Sequence, residues 1–202
     1  MKNYFVYGAG GHALVVMDTA EICGYKITGF IDDFDHREDR KVLGKRVFSP
    51  DAVQPGDIVF MGFGNNAMRE KIGNALIERG VEVQTLIHPS AVVSKYASIG
   101  RGSFIAANAV VDPGCEIGNF VILNKCSVVS HNTVIGDAVH LCPGAVCAGW
   151  CNIGKRSTLG IGTIIRERIK IANDICFGGG AVVVKDFMES GTIAYGVPAR
   201  IH

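Results

Sequence analysis

Two histidines in the middle of a long apolar stretch, His131 and His140, are the side chains best suited to move a proton. A neutral imidazole accepts a proton near physiological pH, so either could act as a general base, although either could also be an ordinary exposed turn or interface residue. Asn132 follows His131, and its amide oxygen could accept Nδ1–H and fix the tautomer of the ring. No Ser/Asp/His grouping indicates a nucleophilic triad. Two mid-chain histidines are too few for a three-imidazole zinc site, so we predict a site without a metal.

A glycine-rich turn near the N terminus offers a second kind of chemistry. The apolar run 2–7 ends in the pattern Gly8-x-Gly10-x-x-Ala13, and Asp32-Asp33 ends the next apolar run. Glycines there would let a phosphate or sugar approach the positive end of the following helix. Carboxylates accept hydrogen bonds from hydroxyl and N–H groups, so the two aspartates could hold a ribose or uracil, or could be solvated turn residues. The predicted N-terminal domain has only about half the length of a full dinucleotide-binding fold, and His12 lies where the glycine-rich turn meets the helix. Both features favour a mononucleotide or nucleotide sugar over NAD as the ligand.

The element that must position the histidines is a six-residue repeat. Apolar residues recur at every sixth position from Ile87 to Val183, seventeen in succession, and the fifth place of each hexad is mostly Ala, Ser, Thr or Cys. This period is neither helical nor a plain strand alternation, and it is typical of a stacked parallel β-helix. A β-sandwich would interrupt the period with irregular loops.

Stacking of the coils predicts which residues meet. Three hexads make a coil of eighteen residues, so residues eighteen apart lie about 4.8 Å apart on successive coils. His131 then lies beneath Gly149, whose N–H could meet the oxygen of a carbonyl. Ile161 and Gly179 form another column on a different corner. His140 cannot share the corner of His131 within one subunit, so a single site would lie between subunits, and a three-sided prism favours a homotrimer.

Composition and segment boundaries set the broad class. We predict an α/β βαβ domain over residues 1–84, with Rossmann-like strand and helix order, and an all-β β-helix with a C-terminal cap over 85–202. A net charge of +1 argues against a nucleic-acid partner. No apolar run approaches the ~20 residues needed to span a bilayer. The cysteine count of seven is odd and no pair has CxxC spacing, which favours free thiols in a reducing cytoplasm.

The motifs together resemble a known family. They are Tyr7-Gly8-Ala9-Gly10-Gly11-His12, Phe30-Ile31-Asp32-Asp33-Phe34, Gly64-Asn65-Asn66, Val121-Ile122-Leu123-Asn124, Cys147-Ala148-Gly149 and the glycine-rich C-terminal segments. This set resembles the bacterial nucleotide-sugar N-acetyltransferases of the left-handed β-helix superfamily, above all those acting on UDP-4-amino sugars such as the UDP-N-acetylbacillosamine enzymes. The resemblance implies a left-handed coil and acetyl-CoA as co-substrate.

The resemblance also implies roles for single residues. His131 would be the general base, while His140, Ile161 and Gly179 would contact acetyl-CoA. The UDP-sugar would be contacted by the N-terminal residues Gly10, Gly11, His12, Asp32, Asp33 and Gly64. The chain departs from the family at Asn132, where a Glu or Asp usually follows the catalytic histidine. An amide cannot stabilise an imidazolium by charge, so the base here is weaker or is assisted by another group.

These observations predict an acetyl-CoA-dependent N-acetyltransferase acting on the amine of a UDP-4-amino-4,6-dideoxy sugar. His131 would take the proton of the amine, and Gly149 N–H would meet the oxyanion. One alternative is O-acetylation of a sialic acid type of sugar, although a hydroxyl needs a stronger base than Asn132 supports. The others are a non-catalytic nucleotide-sugar-binding trimer and an NAD-dependent enzyme.

Overall fold

The structure, a computed structural model, describes residues 2–202 and has an N-terminal α/β part followed by a solenoid. The α/β part contains the elements β1 (Tyr4–Tyr7), α1 (Gly11–Ile22), β2 (Gly29–Ile31), β3 (Lys41–Val42), β4 (Lys45–Phe48), a short 3₁₀ helix (Pro50–Ala52), β5 (Ile58–Met61), α2 (Asn66–Glu78) and β6 (Glu82–Val83). Its sheet has the order β3-β4-β2-β1-β5-β6, parallel except for the β3–β4 hairpin. The hairpin lies in the charged segment that follows Phe34.

The parallel sheet follows from its buried, β-branched and aromatic strands. All four residues of β5 are buried, as expected for a strand covered on both faces. Gly62, directly after β5, allows the sheet to approach α1 closely, because a Cβ there would lie 2.6 Å from Val6 Cγ1 and 3.0 Å from Ala13 Cα. The carboxyl ends of β1, β2 and β5 therefore meet the start of α1.

The solenoid consists of two-residue strands spaced six residues apart. In chain order they are β7 to β23: Leu86–Ile87, Val92–Val93, Ser98–Ile99, Phe104–Ile105, Val110–Val111, Glu116–Ile117, Ile122–Leu123, Val128–Val129, Val134–Ile135, His140–Leu141, Val146–Cys147, Asn152–Ile153, Thr158–Leu159, Ile164–Ile165, Lys170–Ile171, Cys176–Phe177 and Val182–Val183. The chain ends in β24 (Ile193–Tyr195) and β25 (Arg200–Ile201), which close one sheet. Each strand pairs in parallel with the strand eighteen residues away, as the period predicts.

From β10 onward, the second residue of each two-residue strand up to β23 points inward and is buried, and the core that these residues form runs from Ile105 to Ala199 in the C-terminal segment. Small residues at the corners are buried as well, and four of their hydroxyl groups donate to backbone carbonyls of the next coil: Ser103, Thr133, Ser157 and Thr163. Thr133 Oγ1, for example, donates to Ala148 O at 3.0 Å. Because these four groups are satisfied, their corners can be buried without a large desolvation cost, whereas Ser127 Oγ is buried without a partner.

The three faces of the prism differ in what covers them. The first face (β7, β10, β13, β16, β19, β22, β24 and β25) packs against the α/β part, where Phe104 and Ile122 share a core with Val6 and Ala13. The second face (β9, β12, β15, β18 and β21) presents mostly polar residues. The third face presents only aliphatic residues outward, and we call it the aliphatic face: Val92, Val110, Val128, Val146, Ile164 and Val182.

No helix within residues 2–202 has the length and apolarity needed to cross a membrane. All seven cysteines are free thiols; Cys115, Cys147 and Cys151 are buried in the solenoid.

Candidate active site

His131 lies on the corner that joins the aliphatic face to the polar face, between β14 and β15. The imidazole is exposed, and its Nδ1 lies 3.1 Å from Asn132 Oδ1. An amide oxygen only accepts, so this contact assigns the proton to Nδ1. Nε2 then carries a lone pair and has no partner among the hydrogen bonds of the described chain. The arrangement suits a base that takes its proton on Nε2.

Gly149 lies one coil above His131, as the eighteen-residue spacing predicts. A Cβ at this position would lie 2.6 Å from His131 Cε1 and 2.8 Å from Nε2, so any side chain would displace the imidazole. The carbonyl of Gly149 accepts from Arg168 N at 3.0 Å, whereas its N–H donates to no acceptor within residues 2–202. A base and an unpaired N–H donor therefore lie on one corner.

Ile161 and Gly179 form the expected second column, on the corner that joins the face against the α/β part to the aliphatic face. Gly180 N donates to Ile161 O at 2.8 Å, and both Ile161 and Gly179 are exposed. His140 precedes this corner on β16. The aliphatic face therefore has the His131 corner along one edge and the Ile161 corner along the other.

The structure brings together His140 and His12, which the sequence analysis treats separately. Their ring centroids lie 6.3 Å apart at the junction of the α/β part and the solenoid. Asn124 Nδ2 lies 3.2 Å from His140 Nε2. The Nε2 atom of His12 is buried without a hydrogen-bond partner. An orphaned buried nitrogen at the junction of the two parts is a site where a ligand could supply the missing bond.

Burial keeps both rings of this pair neutral. Desolvation, with smaller contributions from the charges of Arg69 and Lys125, lowers the pKa of His12 to about 4. Desolvation, followed by Arg69 and His12, lowers the pKa of His140 to about 3. At neutral pH both imidazoles therefore donate or accept hydrogen bonds without carrying charge, and neither gains a proton easily during a reaction.

This pair predicts a pH-dependent stability. A histidine with a folded pKa below its unfolded value binds more protons when unfolded, so its stabilising contribution is complete above pH 6.5 and is lost on acidification. Between pH 6.5 and 4 we expect each ring to lower the unfolding free energy by up to about 1.4 kcal/mol per pH unit. The measurement is chemical denaturation at fixed protein concentration across this range.

The matched variant for this prediction is His140→Gln, which removes one of the two titrating rings. Its unfolding free energy should fall less steeply below pH 6.5 than that of the unmodified chain. The aspartates with lowered pKa values affect stability only near the acid end of this window, and they are the same in both proteins. Equal slopes in the two proteins would contradict neutral burial of His140.

A cleft of about 250 Å³ opens at the carboxyl ends of the parallel strands. Its walls include the aromatic rings of Tyr7, Phe34 and Phe63, together with Asp32 and Asp33. Gly64 adjoins it between the lining residues Phe63 and Asn65. At the start of α1, Gly10 and Gly11 are exposed and a Cβ on either would meet nothing within 4 Å. Backbone N–H groups at this helix start are open to a ligand.

The two aspartates of the cleft differ in their hydrogen-bond partners. Asp32 Oδ1 accepts from Phe34 N at 2.9 Å and from Asp35 N at 3.2 Å, and Oδ2 accepts from Arg40 Nη1 at 2.9 Å. Although burial opposes it, these bonds keep the pKa of Asp32 below its usual range. Asp33 Oδ1 accepts from Tyr7 Oη at 2.8 Å, and Oδ2 has no hydrogen bond. Asp32 thus organises its loop, and Asp33 is the acceptor left for a ligand.

Sequence reasoning missed Asn124 as a site residue and did not bring His12 to His140. A signal for Asn124 was present, because a polar amide occupies a hexad place next to the apolar core position Leu123. Nothing in the period indicates where α1 docks on the solenoid. Within residues 2–202 no three metal-ligating side chains are grouped.

Residues 3–76 match the family described as the PglD N-terminal domain. A curated relative, the GDP-perosamine N-acetyltransferase of Escherichia coli O157:H7, is 29% identical over 180 residues, covering 84% of this chain and 80% of the relative.

Two solved structures superpose over the whole chain. The acetyltransferase domain of PglB from Neisseria gonorrhoeae FA1090 has a TM-score of 0.93 and 32% identity, with 100% of both chains covered. A histidine-to-asparagine variant of perosamine N-acetyltransferase from Caulobacter crescentus, in complex with CoA and GDP-perosamine, has a TM-score of 0.93 and 33% identity, covering 100% of this chain and 97% of that one. The chain therefore belongs to the family of acetyl-CoA-dependent sugar N-acetyltransferases built on a left-handed parallel β-helix.

Proposed function

We propose that this enzyme acetylates the amine of a nucleotide-linked 4-amino sugar, of the UDP-4-amino-4,6-dideoxy type, with His131 as general base. The single observation that carries the proposal is the His131 corner, where a free imidazole Nε2 lies against Gly149 and its unpaired N–H. The Escherichia coli relative is named for acetylation of GDP-perosamine, and the Caulobacter crescentus structure contains CoA and that amino sugar nucleotide. Both support an amine acceptor over a hydroxyl.

The nucleotide would occupy the cleft at the carboxyl ends of the parallel strands. A base could stack against an aromatic wall of the cleft such as Phe34 or Phe63, and the free oxygen of Asp33 could accept one of its N–H groups. The diphosphate would lie at the start of α1, where Gly10 and Gly11 expose backbone N–H groups. The sugar would then reach His12, whose unpaired Nε2 could bond a hydroxyl.

The reaction would proceed by direct attack. His131 Nε2 takes the proton that the amine loses as its nitrogen attacks the thioester carbon. The carbonyl oxygen becomes an oxyanion that Gly149 N–H can receive, a contribution that in other enzymes is worth about 3–4 kcal/mol. The intermediate collapses with loss of the CoA thiolate, which leaves as the thiol after taking a proton. Ile161 and Gly179 would line the path of acetyl-CoA, and His140 would contact its thioester end.

A complete site would require more than one copy of the chain. His131 and the Ile161–Gly179 column lie on opposite edges of the aliphatic face, so one chain holds them apart. Three copies that pack through this face around a three-fold axis would bring the His131 corner of one copy beside the Ile161 corner of the next. The face suits burial, since Val92 and Ile164 are 65% and 49% exposed and all six outward residues are aliphatic. We therefore propose a homotrimer.

The trimer makes a prediction about two valines. Val146→Lys places a charge in the centre of the aliphatic face, and we expect it to dissociate the trimer because an unpaired ammonium is costly to bury. Turnover should fall with dissociation. The matched control is Val134→Lys on the polar face, which should remain trimeric and active. Size-exclusion chromatography with light scattering gives the mass of each protein. A trimeric Val146→Lys protein would exclude this face as the interface.

The activity is tested with a panel of UDP-, GDP- and dTDP-linked amino sugars and acetyl-CoA. We expect CoA release with a UDP-4-amino sugar, and a product heavier by one acetyl group on nitrogen by mass spectrometry. Acetylation of a sialic acid hydroxyl alone would identify an O-acetyltransferase. Failure of acetyl-CoA to bind or to raise the melting temperature would favour a non-catalytic nucleotide-sugar module.

A further inference from the structure

We propose that Trp150 is a positioning residue that holds the His131 imidazole and stabilises its protonated form, in the place of the carboxylate that Asn132 does not provide. This inference rests on the proposed role of His131 as base. Trp150 is the one tryptophan of the chain, and the inference assigns to it the positioning of His131.

Trp150 makes two contacts with His131, one through the backbone and one through its ring. Its backbone N–H donates to His131 O at 3.0 Å, which ties the two coils together. Its ring centroid lies 6.4 Å from that of His131, with the ring planes at 83°. Perpendicular aromatic pairs in this distance range attract, because the positive edge of one ring meets the negative face of the other. The indole therefore restrains the imidazole, in addition to the contacts with Gly149 and Asn132.

The solenoid fixes the direction of the indole. Trp150 has a φ of +63°, the left-handed conformation that Asn132 and Arg168 also adopt at this corner, with φ of +59° and +62°. The corner thus sets the backbone from which the indole extends, between the coil of His131 below and that of Arg168 above. The indole is 55% exposed, so solvent reaches its ring.

The indole face attracts cations. The guanidinium carbon of Arg168 lies 5.9 Å from the Trp150 ring centroid, and an imidazolium at His131 would add a second cation beside the same ring. A cation close to an aromatic face is stabilised by the ring quadrupole. Protonation of His131 during turnover would therefore strengthen its contact with Trp150, whereas Asn132 can offer only the dipole of its amide.

Other charged groups near this corner are Asp112 on the coil below and Arg166, Glu167 and Arg168 on the coil above. Arg166 Nε lies 3.9 Å from Glu167 Oε1, so this pair largely cancels. Asp112 would favour an imidazolium and Arg168 would oppose it. These residues stay constant in the variants below, so a change of pH dependence reports on the indole.

The first measurement uses the single tryptophan as a probe. A protonated imidazole quenches indole emission more than a neutral one, so the fluorescence of the enzyme should titrate with pH as His131 gains its proton. The His131→Gln variant should lose that transition. A transition that persists unchanged in His131→Gln, or the absence of any transition in the unmodified enzyme, would overturn the pairing of these rings.

The second measurement is the pH profile of kcat/KM for Trp150→Leu and Trp150→Phe. Losing the indole face makes the imidazolium less stable, so in Trp150→Leu the acid limb should move to lower pH by about half a unit. Trp150→Phe, which keeps an aromatic face, should restore most of the shift. The KM values of both substrates should stay within about twofold, since the residue acts through His131.

The outcomes separate this inference from the proposed function. If His131→Gln loses turnover but Trp150→Leu keeps the acid limb of the unmodified enzyme, His131 remains the base and the role of Trp150 is wrong. A raised KM in Trp150→Leu without a shifted limb also overturns the inference, because it indicates a substrate contact. Unchanged turnover in His131→Gln would contradict the proposed role of His131 as base, and this inference would then fail as well.

Discussion

Replacing His131 by alanine is expected to lower kcat by about 10²–10⁴-fold, the usual range for the loss of a general base, while the enzyme stays folded and keeps the oligomeric state of the unmodified protein. The side chain is exposed on its corner and makes one side-chain hydrogen bond, to Asn132, so its removal should disturb little else. Binding of acetyl-CoA and of the nucleotide sugar should persist, since neither requires the imidazole. The measurement is CoA release at saturating concentrations of both substrates.

The matched control is His88→Ala. His88 is a half-buried solenoid histidine whose Nδ1 contacts the neighbouring Ser90. It lies on the first coil, far from Gly149. Its turnover should equal that of the unmodified enzyme. A His131→Ala enzyme with the same turnover as the His88→Ala enzyme would remove His131 from the mechanism, whatever the identity of the sugar.

Replacing Arg69 by methionine is expected to lower the unfolding free energy by about 3–5 kcal/mol, the largest stability effect that we predict. The guanidinium is fully buried in α2 and has no carboxylate partner. Instead it donates to backbone carbonyls of both parts of the chain, including Phe120 O at 2.8 Å and Ala138 O at 2.9 Å in the solenoid. Methionine fills a similar volume but leaves these carbonyls without donors.

Arg69 also lies close to the histidine pair, which links stability to the site. Burial lowers the pKa of the guanidinium to about 9, so the group remains charged at neutral pH. Its charge contributes to the lowered pKa values of His12 and His140. In Arg69→Met the α/β part should loosen from the solenoid, and the KM for the nucleotide sugar should rise because His12 loses its position.

Arg79→Met is the control for this variant. Arg79 directly follows α2 and is exposed, with one side-chain hydrogen bond to Val53 O at 2.8 Å. Its removal should cost less than about 1 kcal/mol. Chemical denaturation at one protein concentration compares the three proteins. Similar losses for Arg69→Met and Arg79→Met would show that the buried guanidinium does not join the two parts.

Much of the His131 corner could be predicted from the sequence, because in the solenoid the number of residues between two positions determines whether they are neighbours in space. Once the hexad period is recognised, a spacing of eighteen places His131 under Gly149 and Ile161 under Gly179, and both columns are observed. The sequence period is preserved in the structure because each coil has the same length and packs on the next. The placement of these residues is thus established, and their chemical roles remain proposals.

Only the tertiary structure decided what lies between the two parts of the chain. The approach of His12 to His140 and the burial of Arg69 both depend on how α1 and α2 dock on the solenoid. Docking is fixed by the complementary packing of side chains such as Phe104 and Ile122 against the α/β core, and such packing leaves no period in the sequence. Repetition is local and can be counted, whereas the fit between two different surfaces can be read only once both have folded.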